Sequence, residues 1–272
     1  MAKIPTDIAL LIGLALTLIL YSILLGQAVS YFRSNFEDRW WTKLVVSIVV
    51  LLETAMVLFD IDKLYLQLCR GPTYLILGPS ALNSMLSGNT VMMSLVSMSV
   101  QLFFAWRVSA LSSHRVLPGL IALCSGCSLA LGLALHVMGI SRITVSALSP
   151  ASIATLAPPN ATNNSFALVL SWLLMCAVVD IILSVYLTYY LLKKKTGFRS
   201  SDLLIGKIVS FTVGTGITTS VCAILDAGLH ATHTTTIPMM VPDLMLSKLY
   251  ANSLLASLNA RAKWADDIDG SV

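Results

Sequence analysis

The chain has 272 residues, of which 57% are hydrophobic and only 11% charged, with a formal net charge of +4. So few charges cannot coat a water-soluble domain of this size, which excludes the soluble globular classes. The small positive excess sits in short segments between long apolar runs, where it meets anionic headgroups rather than a nucleic acid.

Seven apolar runs fill most of the length, at about 8–29, 43–64, 90–108, 117–139, 167–192, 203–230 and 237–258. A hydrocarbon core of about 30 Å takes roughly 20 helical residues to cross. Inside lipid each backbone amide must find its partner within its own segment, so runs of this length read as helices. None shows the two-residue alternation of a membrane barrel. The expected fold is an all-α integral membrane protein, a single domain of seven transmembrane helices.

In chain order, the first run is too long for the core of a signal peptide, and no small-residue cleavage site follows it, so it reads as a helix. The second carries Glu53 at mid-depth and Asp60 nearer its far end. The third bears Thr90, Ser94, Ser97 and Gln101 at spacings of four, three and four, a polar stripe expected to face the interior. In the fourth, Ala122, Gly126, Ala130 and Ala134 form a smooth ridge that another helix can approach. The connection 140–166 holds two N-glycosylation patterns, at Asn160 and Asn163. The fifth run contains Asp180, and the sixth has Thr215, Thr218 and Thr219 beside Gly214 and Gly216, a packing pattern. The seventh places Lys248 near mid-depth.

The positive-inside rule orients the chain. With the C-terminus cytosolic, the inner segments hold Arg33, Arg39, Lys43, Arg107, Arg115, Lys193, Lys194, Lys195, Arg199, Lys207, Arg261 and Lys263. The other side keeps Lys3, Lys63, Arg70 and Arg142, twelve against four. The N-terminus is therefore expected outside or in the lumen, as is the segment bearing Asn160 and Asn163. The membrane is that of the cell surface or the secretory pathway. Cys124, Cys127, Cys176 and Cys222 lie within spans as small apolar residues, and Cys69 stands alone in an outer loop.

Ionisable residues inside a bilayer are costly unless paired or wetted, so they mark the candidate site. Lys248 is expected to pair with Glu53 or Asp180, with Asn252 one turn away on the same face. Ser94, Ser97 and Gln101 complete the polar interior. This arrangement is either a structural ion pair that fixes helix register or a pocket or ion path. Asp226, His230 and His233, at spacings of four and three, could bind zinc together with His136. A pair of solvated loop histidines explains the last two more simply.

A retinal Schiff base at Lys248 is disfavoured, because Asp243 lies five residues before it and the sixth run lacks clamping aromatics. Signatures of rhodopsin-like receptors are also missing: the third run ends Trp106-Arg107-Val108, and the seventh reads Asn252-Ser253-Leu254. No cofactor and no catalytic motif is expected. The leading reading is a non-enzymatic receptor or sensor that takes a small molecule from the outer face. Its rivals are a small-solute or ion transporter, which would need broken helices and often an inverted repeat, and a zinc-dependent intramembrane hydrolase. No oligomeric state is implied.

The last third carries a set of distinctive segments: Asp180-Ile181-Ile182, Tyr189-Tyr190-Leu191, Gly197-Phe198, Ser201-Asp202 and Thr215-Gly216, then the block from Lys248-Leu249-Tyr250 through Asn259-Ala260-Arg261. These resemble a family of fungal, mainly mushroom-type, seven-helix membrane proteins defined by a domain of unknown function, most closely over 180–261. The resemblance implies a membrane location and seven helices, but no activity. Lys248, Asn252 and Asn259 share a helical face. Arg261 would anchor the inner headgroup level, and Tyr250 and Ser253 point elsewhere, to packing positions.

Overall fold

The computed structural model describes residues 6–34, 38–70, 80–111, 116–148, 161–193, 199–231 and 240–269. Among them every regular element is a helix: α1 (Thr6–Arg33), α2 (Trp40–Arg70), α3 (Ser80–Leu111), α4 (Val116–Leu148), α5 (Ala161–Lys193), α6 (Arg199–Ala231) and α7 (Met240–Asp269). The helices are longer than the apolar runs within them, because the polar ends continue the same backbone ladder. As a result, most of the connection 140–166 is helical, with α4 reaching Leu148 and α5 beginning at Ala161. Asn163 thus sits in the first turn of α5, and Asn160 lies outside the described residues.

Five helices are long and apolar enough to cross a membrane: Leu10–Arg33, Trp40–Tyr65, Gly88–Ala110, Pro118–Met138 and Ala167–Lys193. The apolar part of α6 is shorter, Val213–Leu229. α7 falls below that level because Asp243, Ser247, Lys248, Asn252, Ser253, Ser257 and Asn259 interrupt it. Most of those residues are turned inward.

Each helix packs on the next, and α7 packs back on α1, closing a ring. α3 also touches α5 and α7, and α7 touches α2, so α3 and α7 occupy the middle. α7 is buried on nearly every side, from Leu246 and Ser247 through Tyr250, Ala251, Leu254 and Leu255 to Leu258. The outer surface is apolar: Leu51, Leu123, Val185 and Leu225 are 68%, 65%, 60% and 58% exposed. In water a surface of this kind would drive aggregation, whereas against lipid tails it costs nothing. Apolar faces outward and charged groups inward fit contact with a lipid bilayer.

α1 and α7 run parallel and are laced by side chains that donate to backbone carbonyls. Thr17 donates to the Leu244 carbonyl (3.2 Å), Asn252 to Leu20 (3.0 Å) and Asn259 to Gln27 (2.7 Å). Both asparagine links join residues 232 apart. Their seven-residue spacing on each helix is the repeat of two helices crossing at a shallow angle. Arg107 on α3 donates to the Ser257 hydroxyl on α7.

Two glycines mark the tightest crossings. A methyl at Gly132 would collide with the Ser94 hydroxyl and lie 2.9 Å from Ser94 Cβ, and one at Gly216 would meet Ser184 in the same way, also 2.9 Å from its Cβ. The contact row of α4 is therefore Ile121, Ser125, Ser128 and Gly132. The ridge expected at Ala122, Gly126, Ala130 and Ala134 is not that face, since nothing lies within 4 Å of a methyl at Gly126. Both rows are small, and Ser125 and Ser128 decide between them, because a hydroxyl facing hydrocarbon is worse placed than one in the interior.

Candidate functional site

The interior holds two polar clusters, one on each side of α7. The first surrounds Lys248, which is fully buried. Its ammonium stands 3.4 Å from Glu53 Oε2 and 3.5 Å from Asp60 Oδ2. Ser247 donates to the same Glu53 oxygen at 3.2 Å. Asn89 on α3 donates to Asp60 Oδ1 at 2.7 Å, and Lys63 lies 3.5 Å from that oxygen. Two carboxylates and two ammonium groups thus form one formally neutral network across α2, α3 and α7. Neutrality matters here, because an isolated charge in such a place carries a penalty of several kcal/mol.

The network borders a cavity of about 170 Å³, walled by Asp60, Lys63, Asn89, Trp172, Asp243 and Lys248 among others. Several polar atoms of the cluster have no hydrogen-bond partner among the described residues: Glu53 Oε1, Asn89 Oδ1 and Trp172 Nε1. The wall comes from the second half of α2 (Met56, Asp60, Lys63), the first half of α3 (Asn89, Thr90, Met93), Trp172 of α5 and the first turns of α7, so the cavity lies in one half of the bundle.

The second cluster surrounds Asp180, which is 5% exposed. Tyr250 donates to Asp180 Oδ2 at 2.6 Å, and Gln101 Nε2 donates to Oδ1 at 3.3 Å. Thr219 stands beside the carboxyl, and Ser97 and Ser128 stand beside the neighbouring thiol of Cys176. A cavity of about 30 Å³ adjoins this carboxylate.

The structure therefore separates residues that the sequence grouped together. Lys248 meets Glu53, and its second carboxylate is Asp60 on the same face of α2 rather than Asp180. Asp180 belongs with Tyr250, a residue assigned to packing from its spacing alone. Asn252 sends its amide to the Leu20 and Lys248 carbonyls, at 3.0 and 2.7 Å, and so serves the α1–α7 seam. Ser94, Ser97 and Gln101 are each 1% exposed on α3, but they serve different neighbours: Ser94 faces Gly132, Ser97 faces Cys176, and Gln101 faces Asp180. The seven-residue step from Glu53 to Asp60 is a readable signal, since it amounts to two helical turns on one face.

Of the four residues proposed for zinc, Asp226 is buried in α6 and His136 is half-buried in α4. His233 and the side chain of His230 lie outside the described residues. Among the described residues no three His, Cys, Asp or Glu side chains converge on one point. The described cysteines are all free thiols.

Fold and site together define an all-helical membrane protein with charged groups folded into its interior. Within that class, residues 176–263 match the model of a family of unknown function (DUF6534). The match covers about a third of the chain. It takes in Asp180, Lys248 and Tyr250, but not Glu53 or Asp60. No match emerges among curated proteins or among solved structures.

Proposed function

We propose that the chain crosses the membrane seven times, with its N-terminus outside or lumenal and its C-terminus cytosolic, and acts as a receptor- or sensor-like protein. In this reading it is non-enzymatic, needs no resident cofactor, and resides in the plasma membrane or the secretory pathway. The twelve-to-four split of basic residues supports the orientation. Helices of 28 to 33 residues support seven crossings, since each exceeds the roughly 20 needed. α7 need not be apolar to cross, because its neighbours shield its polar side chains from lipid. The finer likeness to mushroom-type fungal proteins rests on the 248–261 block.

The cavity beside Lys248 carries the functional reading. At about 170 Å³ it is close to the roughly 150 Å³ that accommodates a six-membered ring. Its wall offers both signs of charge, which suits a small zwitterion. In the proposed topology it lies in the outer half of the bundle, which favours reception over passage.

The test compares unfolding midpoints of the purified chain with glycine, acetate, methylammonium and larger zwitterions. A shift by zwitterions that disappears in the charge-balanced variant Glu53→Gln/Lys248→Met supports the pocket. Identical shifts in both proteins, or none in either, would sink it.

A further inference from the structure

We propose that Asp180 anchors a binding site for one desolvated monovalent cation of about sodium's size, enclosed by α3, α5, α6 and α7. Four observations carry this, and none depends on the pocket beside Lys248.

The first is the hydrogen bonding of the carboxyl. Each oxygen accepts from a donor, Oδ2 from Tyr250 and Oδ1 from Gln101. A phenol O–H at one oxygen and an amide N–H at the other are both able to donate, which is the surrounding that favours the ionised form of the carboxyl. The second is the lack of a counter-charge. Among the described residues the ion pairs of Lys63 and Lys248 go to Glu53 and Asp60, and none reaches Asp180. A buried carboxylate standing alone is strongly unfavourable.

The third is the space beside it. The cavity of about 30 Å³ is lined by Gln101, Asp180, Thr215, Thr219, Tyr250 and Ser253, among others. That admits a single occupant about the size of a water molecule, and no ion carrying a hydration shell. The fourth is the direction of the nearby protons. Ser253 gives its proton to the Tyr250 carbonyl at 2.7 Å, and Tyr250 gives its own to Asp180. Gln101 donates through Nε2, which leaves Oε1 buried without a partner among the described residues.

The lone pairs of these oxygens remain, next to one full negative charge. Oxygen donors of this kind suit hard cations. One carboxylate balances one positive charge, so a monovalent ion leaves the site neutral and a divalent ion does not. A water molecule would satisfy the lone pairs but not the charge. An approach exists: a groove of about 490 Å³ between α1 and α6 shares Thr215, Thr219 and Ser253 with the small cavity, so those side chains are the partition between them.

The experiment uses the full chain in detergent micelles. Unfolding midpoints are compared in sodium, potassium and choline chloride at equal ionic strength, and retention of sodium-22 is measured by equilibrium binding. Sodium is expected to raise the midpoint over choline by on the order of 5 °C, with about one sodium-22 retained per chain and displaced by unlabelled sodium. Asp180→Asn is expected to lose both effects, and Gly126→Ala, where an added methyl meets nothing within 4 Å, to keep them.

Equal midpoints in all three salts with no retained sodium-22 would overturn the proposal and leave a proton as the partner of Asp180. A sodium response that survives in Asp180→Asn would overturn it too, by placing the ion elsewhere. If Asp180→Asn does not fold, Ser253→Ala decides: sodium-22 affinity is expected to fall about tenfold, and unchanged affinity overturns the site.

Discussion

Lys248 and Tyr250 stand two residues apart on α7 and turn to carboxylates on different helices. Lys248 meets Glu53 and Asp60 on α2, and Tyr250 bonds Asp180 on α5. Two residues advance roughly 200° around a helix, so α7 presents an ammonium on one side and a phenol on the other. The central helix thereby ties both halves of the ring through its own polar groups, and each tie depends on a partner that has nowhere else to go.

Removal of the Lys248 charge leaves Glu53 without its cation, while Asp60 keeps Lys63 and Asn89. Lys248→Met is expected to destabilise the fold by about 3–5 kcal/mol. Adding Glu53→Gln to it should recover part of that loss, because the remaining Asp60–Lys63 pair is again neutral. Denaturant melts in detergent read both values. A double variant no more stable than the single would show that the uncompensated Glu53 charge is not the source of the penalty.

Tyr250→Phe is expected to cost about 1–3 kcal/mol, since Asp180 Oδ2 loses its donor in a buried setting. In that background Asp180→Asn should be less damaging than in the parent chain. A double-mutant cycle measures the coupling. Additive losses would mean that the phenol and the carboxylate act independently.

The glycines divide into two kinds. Gly132→Ala and Gly216→Ala place a carbon 2.9 Å from a serine Cβ across a helix crossing and are expected to cost about 1–3 kcal/mol each. Gly126→Ala meets nothing within 4 Å and should be neutral or add up to about 1 kcal/mol through helix propensity. Thermal melts of the three variants test this ranking, and a neutral Gly132→Ala would contradict the close approach of α3 and α4.

The seam between α1 and α7 can be probed link by link. Asn259→Ala and Asn252→Ala should each cost about 0.5–1 kcal/mol, the usual scale for such bonds between membrane helices. Their effects should add, because two helical turns separate them. A single substitution that abolishes folding would point to a larger role than lacing.

The helices were legible in the sequence because an apolar run of bilayer length allows little else. Their ends were not, since polar residues such as Ser146 or Thr162 extend a helix without adding to its apolar signal. Lys248 was legible as an interior charge from depth alone, and depth left Glu53 and Asp180 as equal candidates for its partner. Asp60 reads from depth as lying nearer a helix end, although its seven-residue distance from Glu53 puts both on one face. Tyr250 and Asp180, 70 residues apart, could not be paired by any local spacing. Their meeting follows from how α5 and α7 are arranged around the ring. Spacing of small residues pointed to the Ala122–Ala134 ridge of α4, and the hydroxyls of Ser125 and Ser128 turn the other small row inward instead.

The parallel seam also sets an order of events during synthesis. Leu20 waits for Asn252, which emerges 232 residues later. At translation rates of about 5–20 residues per second, that delay is roughly 10 to 50 s. For that period the first helix sits in the membrane with the carbonyls of Leu20 and Gln27 lacking their asparagine partners and one flank uncovered. A chain stalled or cut before α7 would leave an open ring with two raw edges, and that is the form a membrane quality-control protease is best placed to recognise.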